Sequence, residues 1–266
     1  MSSRRHDSGG QTGSTAGQLL DRFFTRELPR YLPHLSVDCV VFGFHDAELK
    51  VLLLKWTNVD IWALPGGYVG RRQSLDAAAE RAVRQRTGLR QVHLRQFHAF
   101  GGLDRREAGY WRRWLAALRL PGRPPVPDSA WPLNRVVSIG YYGLVDFSKV
   151  RASCDVFSDA CAWFPIGDQP PLAFDHGAII SRALDTLRAN LDSATVGATL
   201  LPERFTMPEL QRLHEAILGR ALDRRNFQKR MLDYGILERT ADRRAGGAHR
   251  APYLYRFRTQ DPSPSL

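Results

Sequence analysis

Cysteine is scarce. The 266 residues hold three, Cys39, Cys154 and Cys161, with no CxxC pair and no even set for a disulfide framework. That argues against a zinc-ribbon or disulfide-stapled fold and reads as a reduced, cytoplasmic protein whose thiols are small core residues. Long apolar runs are missing too. The longest, around Val37–Phe44 and Val51–Leu54, are strand-sized, well short of the roughly 18 residues a membrane helix needs, so no membrane partner is expected. The N-terminal MSSRRHDSGGQTGSTAGQ lacks the apolar centre of a signal peptide. It reads as a disordered leader over residues 1–20, and residues 259–266 read as a tail. Acidic residues are outnumbered, 27 against 38 Lys and Arg, for a net charge of +11. A surplus of that size points to a polyanionic partner, usually nucleic acid.

What is present divides into two parts. Residues 21–195 alternate strand and helix signals. VDCVVFGF and KVLLLKW, joined by HDAEL, read as a β-hairpin. Ser74 is a candidate N-cap for a helix over Leu75–Thr87, with Gly88 at its C′ position. HLRQFHAF and VVSIGYYGLVDF have strand character, separated by a long segment, 103–135. There Trp111, Trp114, Leu115 and Leu118 have helical spacing before a proline-rich stretch, which fits a surface insertion or a lid. After a proline-rich approach at 162–172, Asp175 is the expected N-cap of a further helix, with Phe174 and Ile179 at staple spacing. That places His176 on the surface. LDSATVGATLLPERF reads as a linker, with the boundary near 193–200.

Residues 200–258 carry a second design. Thr206-x-x-Glu209 is a capping-box spacing, and Phe205 and Leu210 fit its staple. Gly219 ends that helix. Asp223 caps the next, which packs through Phe227, Met231 and Leu232 and stops at Gly235. Two short helices and a tight turn make a helix-turn-helix, and the strand-loop-strand that follows has a basic, glycine-hinged wing. From Arg220 to Arg250 there are nine basic and four acidic residues. Arg224, Arg225, Asn226, Gln228 and Lys229 have the side chains that read base edges. Arg243, Arg244, His249 and Arg250 of the wing would meet phosphates, and Thr206 is counted with the DNA-binding residues. The partner is expected to be double-stranded DNA.

Residues 64–89, LPGGYVGRRQSLDAAAERAVRQRTGL, resemble the Nudix box. Members of that family cleave nucleoside diphosphates linked to another group, using glutamates that bind a divalent metal. Gly67, Arg81, Val83, Gly88 and Leu89 match the pattern. Gln73, Ala82, Gln85 and Arg86 occupy the four glutamate positions. Hard Mg²⁺ needs anionic oxygen ligands, and Asp76 and Glu80 are out of register, one residue being about 100° around a helix. We therefore expect no catalytic residues, no metal, no cofactor and no enzymatic activity. A Nudix hydrolase acting on ADP-ribose or a related nucleoside diphosphate derivative is the alternative. A glycine loop and helix N-terminus remain, able to hold a ligand, with Gly66, Gly67, Arg71, Arg81 and Arg86 as candidate effector contacts.

A degenerate Nudix domain followed by a winged helix resembles the Nudix-related transcriptional regulators of the NrtR type. LAFDH, LLPERFTMPELQ, AILGRALDRRNFQKRML and GGAHR carry that likeness. The resemblance implies a mixed α/β (α+β) chain, a Nudix-like α/β/α sandwich with a C-terminal winged helix-turn-helix. It also implies a homodimer on a palindromic operator, and a repressor whose small effector, ADP-ribose or a sugar such as arabinose, binds the Nudix-like domain. The stripped box and the insertion point towards the sugar-responsive branch, whereas Arg71, Arg72, Arg81 and Arg86 would serve a pyrophosphate equally well.

Overall fold

The structure, a computed structural model, describes residue 18 and residues 22–90, 92–103, 105, 112–113, 116, 134–147, 152–155, 157–191, 194–244 and 252–258. The leader apart from Gln18, the tail, Trp111, Trp114, Leu115, Leu118, His249 and Arg250 lie outside them.

A long first strand organises the N-terminal part. β1 (Tyr31–His45) runs antiparallel to β2 (Glu48–Trp56), and the two-residue turn between them places Asp46 and Ala47 at positive φ, 52° and 62°. That mirror-image turn matches the twist of the strands, so the hairpin is tighter than HDAEL suggested. The other edge of β1 pairs in parallel with β6 (Val137–Val145), which pairs with β5 (Leu94–Phe100). β3 (Trp62–Ala63) and β7 (Ser158–Pro165) add to β2, and β4 (Gly66–Gly70) to the start of β1. β7 corrects the sequence reading, which took this stretch as irregular approach.

Alternation along β1 sends side chains to two layers. Val37, Cys39 and Val41 pack with Ala78, Ala79, Ala82 and Val83 of helix α1 (Leu75–Thr87). Val40 and Phe42 pack with Ile179, Ile180, Ala183, Leu184 and Leu187 of helix α2 (His176–Ala189). The result is the expected α/β/α sandwich. α1 has the limits its sequence indicated: the Ser74 side chain accepts from the Ala77 amide, and Gly88 takes φ 70°. Of the three thiols only Cys39 is buried; Cys154 is exposed and Cys161 half-buried.

The segment read as a linker is a helix, α3 (Ala194–Leu200). It forms because Val196 and Leu200 are buried and Gly197 lies against the Phe257 ring, where a Cβ would come within 2.2 Å. Then α4 (Met207–Leu218), α5 (Arg224–Asp233) and a three-stranded sheet in the order β8 (Phe205–Thr206), β10 (Tyr253–Phe257), β9 (Leu237–Arg243) complete a winged helix. Leu232, expected in its core, is 45% exposed.

One apolar cluster joins the two parts, running from Val40 and Phe42 through Ile179 and Leu187 to Leu210, Leu213, Ile217 and Met231. A shared core makes unfolding cooperative across them. All six tryptophans precede residue 164, so their fluorescence reports the N-terminal part alone. Leu213→Ala, in the winged helix, is expected to cost about 2–5 kcal/mol and to lower the urea midpoint read by tryptophan fluorescence. An unshifted midpoint would show two independently folding units.

Candidate functional site

Between the box helix and the start of α2 lies a cavity of about 500 Å³. One wall is the old box: Gly66, Gly67, Arg81, Gln85 and Arg86 all line it. Gly66 is required by close approach, since a Cβ there would come within 2.5 Å of the Asp38 carboxylate and 2.8 Å of the Val37 carbonyl. Arg71, the fifth expected effector contact, does not line the cavity. Its Nε donates to the Pro29 carbonyl at 2.8 Å on the exposed side of the loop.

Arg81 keeps the box folded. It donates to the Tyr68 carbonyl, to Gln73 Oε1 at 3.2 Å and to Gln85 Oε1 at 3.4 Å, and its guanidinium lies 5.6 Å from the Tyr31 ring centre. Gln73 accepts as a carboxylate would, but without the charge. Arg86 pairs with Asp155, Nη1 to Oδ2 at 2.5 Å. Asp76 is committed elsewhere: it accepts from the Tyr141 hydroxyl at 2.6 Å, and burial, then this carboxylate, push the phenol well above its ordinary pKa. Glu80 is exposed. The donor set left at the box positions, two amides, a methyl and a guanidinium, does not fit a divalent cation. Among the described residues no three His, Cys, Asp or Glu are grouped to hold one.

The opposite wall was not found from sequence. Asp38 is buried on β1, where Ser138 Oγ donates to it at 2.6 Å. Arg105, only 8% exposed, reaches Asp38 at 3.0 Å and Asp175 at 2.8 Å and also donates to the Phe100 and Val136 carbonyls. Asp175 therefore does not cap α2 with its side chain, which makes no cap bond. His176, expected on the surface, is 3% exposed. The Leu64 amide donates to its Nδ1 at 2.9 Å, which leaves the proton on Nε2, 3.7 Å from Asp38. Burial lowers the His176 pKa and outweighs the opposing pull of Asp38 and Asp175, while Arg105 lowers it further. Phe174 beside it holds φ 50°, a strained value for a bulky residue. With Trp56 and Phe157 it gives the cavity an aromatic side.

In the winged helix, Arg224, Arg225, Asn226 and Lys229 stand exposed on α5, and Gln228 is half-buried. Asp223 caps this helix by accepting from the Asn226 amide at 2.9 Å. Glu215 fixes the turn before it, accepting from the Leu222 amide at 2.8 Å and from Gln211 at 2.9 Å; these two bonds, Gln211 first, hold its carboxyl below the ordinary range. Arg243 lies over the Tyr253 ring, as does Arg239. Arg244 forms a two-pronged pair with Glu209, both arms at 3.0 Å, which ties the wing root to the first turn of α4. Thr206 is a correction: it is 4% exposed, and its hydroxyl serves the capping box with Glu209, so it has no free face for DNA.

The architecture defines a class, a Nudix-type domain with altered box chemistry joined to a winged helix. Residues 197–257 match the NrtR DNA-binding winged helix domain. The chain is 28% identical over 236 residues to the ADPR responsive transcriptional repressor NtrR of Acinetobacter baylyi, covering 86% of this chain and 84% of that one. The crystal structure of Shewanella oneidensis NrtR complexed with a 27mer DNA superposes with a TM-score of 0.60 at 28% identity, over 84% of this chain and 93% of the other. An ADP-ribose pyrophosphatase of Methanocaldococcus jannaschii is 26% identical over 158 residues, 58% of this chain and 78% of the enzyme. Residues 197–257 thus carry the match to the NrtR winged helix domain, and the chain is similar to NrtR repressors over most of its length.

Two outcomes follow from the buried wall. Arg105→Ala leaves two carboxylates without their cation and is expected to cost about 3–5 kcal/mol, read by urea denaturation; a loss under 1 kcal/mol would refute the bracing role. A histidine with a lowered folded pKa adds stability that is complete above its unfolded pKa, about 6.5, and is lost as pH falls towards the folded value. The stability of the wild type should therefore drop below about pH 6.5 more steeply than that of His176→Asn. Matching slopes would contradict the assignment.

Proposed function

We propose that this protein is an ADP-ribose-responsive, DNA-binding transcriptional repressor whose Nudix domain senses its ligand without hydrolysing it. The observation that carries the reading is a cavity of about 500 Å³, walled by a box with no metal-binding carboxylates, in a chain that ends in a winged helix. That volume lies in the range of pockets that enclose ligands much larger than one sugar ring. Its aromatic side suits a base, its Asp38 wall suits ribose hydroxyls, and its arginines suit a diphosphate. A lone pentose would leave most of it empty, so the pocket favours ADP-ribose over arabinose, and with it genes of NAD metabolism. The A. baylyi relative's name supports the same effector.

In this reading the protein is cytoplasmic and acts as a homodimer, each winged helix reading one half of a palindromic operator in double-stranded DNA. Arg224, Arg225, Asn226, Gln228 and Lys229 lie in the major groove, and Arg243, Arg244, His249 and Arg250 lie along phosphates. Helix α2 connects pocket to DNA surface. Its first residue, His176, is in the cavity wall, and near its other end Arg188 Nε donates to the Ile217 carbonyl of α4 at 2.9 Å. A shift at the pocket is thereby felt at the helix-turn-helix, and ADP-ribose weakens DNA binding.

The reading is tested by fluorescence anisotropy on a duplex selected from a random pool. Affinity should fall linearly with log salt, and Arg225→Ala or Asn226→Ala should each lose about 1–3 kcal/mol; unchanged affinities would remove both residues from the recognition surface. ADP-ribose, but not L-arabinose, should raise the melting temperature, by about 2.7 kcal/mol of stabilisation at 100 times its Kd. Stabilisation by the sugar alone would transfer the chain to sugar sensing. Mg²⁺-dependent formation of AMP from ADP-ribose at an enzyme's rate, lost on chelation, would contradict the absence of catalysis.

A further inference from the structure

The altered box raises a question of charge. A diphosphate in an enclosed pocket needs a cation, and the residues at the glutamate positions do not fit a metal. Five arginines stand in the box segment, and the structure separates them. Arg71 is bonded to the Pro29 carbonyl outside the cavity, and Arg72 and Arg84 are exposed and do not line it. Arg81 lines the cavity, but each of its three nitrogens donates to the box itself, to Tyr68, Gln73 and Gln85. Arg86 differs. Only Nη1 is engaged, by Asp155, and no described protein group accepts from its buried Nε. Its side chain is 21% exposed and lines the cavity.

Asp155 is itself fixed. Its other oxygen accepts from the Ser158 hydroxyl at 2.9 Å and the Phe157 amide at 3.2 Å. The Phe157 ring lies 5.9 Å from the Arg86 guanidinium. The fork is therefore aimed by an anchored carboxylate and backed by an aromatic ring, with donors to spare among its five N–H groups. It stands at the last of the four glutamate positions of the box pattern. A guanidinium needs no oxygen ligands from the protein and matches phosphate with two parallel bonds. Across the cavity lining, Arg81, Arg86 and Arg105 balance Glu27, Asp38 and Asp155 with no ion added.

We propose that Arg86, aimed by Asp155, replaces the divalent cation, so that the pocket binds the diphosphate of its ligand without any metal ion. The inference rests on the ADP-ribose reading for the identity of the ligand, but not for the chemistry. A fixed guanidinium attracts phosphate as a metal does. It does not supply the metal-bound water that would cleave the ligand, so a sensor built this way does not destroy its signal.

The test is isothermal titration of the full chain with ADP-ribose, and in parallel with inorganic pyrophosphate, in EDTA and in MgCl2. The expected result is a Kd for ADP-ribose that agrees within about twofold in the two buffers. Arg86→Gln should raise that Kd at least tenfold, and Arg86→Lys, which keeps the charge and loses the fork, should fall between. A wild-type chain that binds only with Mg²⁺ overturns the inference whether or not the variants fold. A folded Arg86→Gln protein that binds as the wild type does overturns it as well. If ADP-ribose gives no heat in either buffer, the effector reading fails. Pyrophosphate binding in EDTA that is lost in Arg86→Gln would then still support the role of Arg86, and no binding of either compound would overturn it.

Discussion

Four separate segments meet at the guanidinium of Arg105: β1 through Asp38, the end of β5 through the Phe100 carbonyl, the approach to β6 through the Val136 carbonyl, and the start of α2 through Asp175. A cation this deeply buried is costly to desolvate, and only this full set of acceptors offsets the cost. The consequences spread outwards. Asp38 is held where it lines the cavity and faces His176; His176 takes the Leu64 amide and so fixes the strand that leads into the glycine loop. α2 begins at this node and ends against the winged helix, its length of 14 residues spanning roughly 21 Å. The pocket and the winged helix are positioned by the same braced helix.

The box shows what survives when a metal site loses its metal ligands. Its structural half is intact: the Ser74 cap, the Gly88 stop and the Arg81 bonds to the loop all persist. Gln73 and Gln85 keep the acceptor oxygens that Arg81 uses, and Ala82 packs into the core. The positions that carried charge for chemistry are the ones that changed. The loop-helix thus answers for shape, which is separable from catalysis in physical terms.

Local signals made much of the fold legible in the sequence. α1, α4 and α5 are bounded by caps and glycines that act within four residues, and their limits could be read directly. The hairpin and the winged helix followed from apolar spacing and turn residues. Long-range contacts were invisible. Arg105 meets Asp38 and Asp175 across 67 and 70 residues, and nothing around it marks it among the arginines of the insertion. His176 looked like a surface residue because FDH resembles a helix start; its burial comes from the Leu64 and Asp38 contacts, 112 and 138 residues away. Helix α3 carries β-branched residues and a glycine, and its packing comes from distant contacts such as the Phe257 ring against Gly197. Within the pocket, Gly66, Gly67, Arg81 and Arg86 were named from the box pattern, whereas the Asp38 wall had no pattern to name it.

The central claim is that one ligand site and one DNA surface are coupled through this framework. Coupling between binding sites is reciprocal: the factor by which ADP-ribose weakens DNA binding must equal the factor by which DNA weakens ADP-ribose binding. The most direct measurement is calorimetric titration of ADP-ribose into the free protein and into the protein saturated with its duplex. The account predicts a higher Kd on DNA, by the same factor that anisotropy gives for the duplex in saturating ADP-ribose. Equal ADP-ribose affinities with and without DNA would contradict it, leaving a pocket and a winged helix that share a core but exchange no signal.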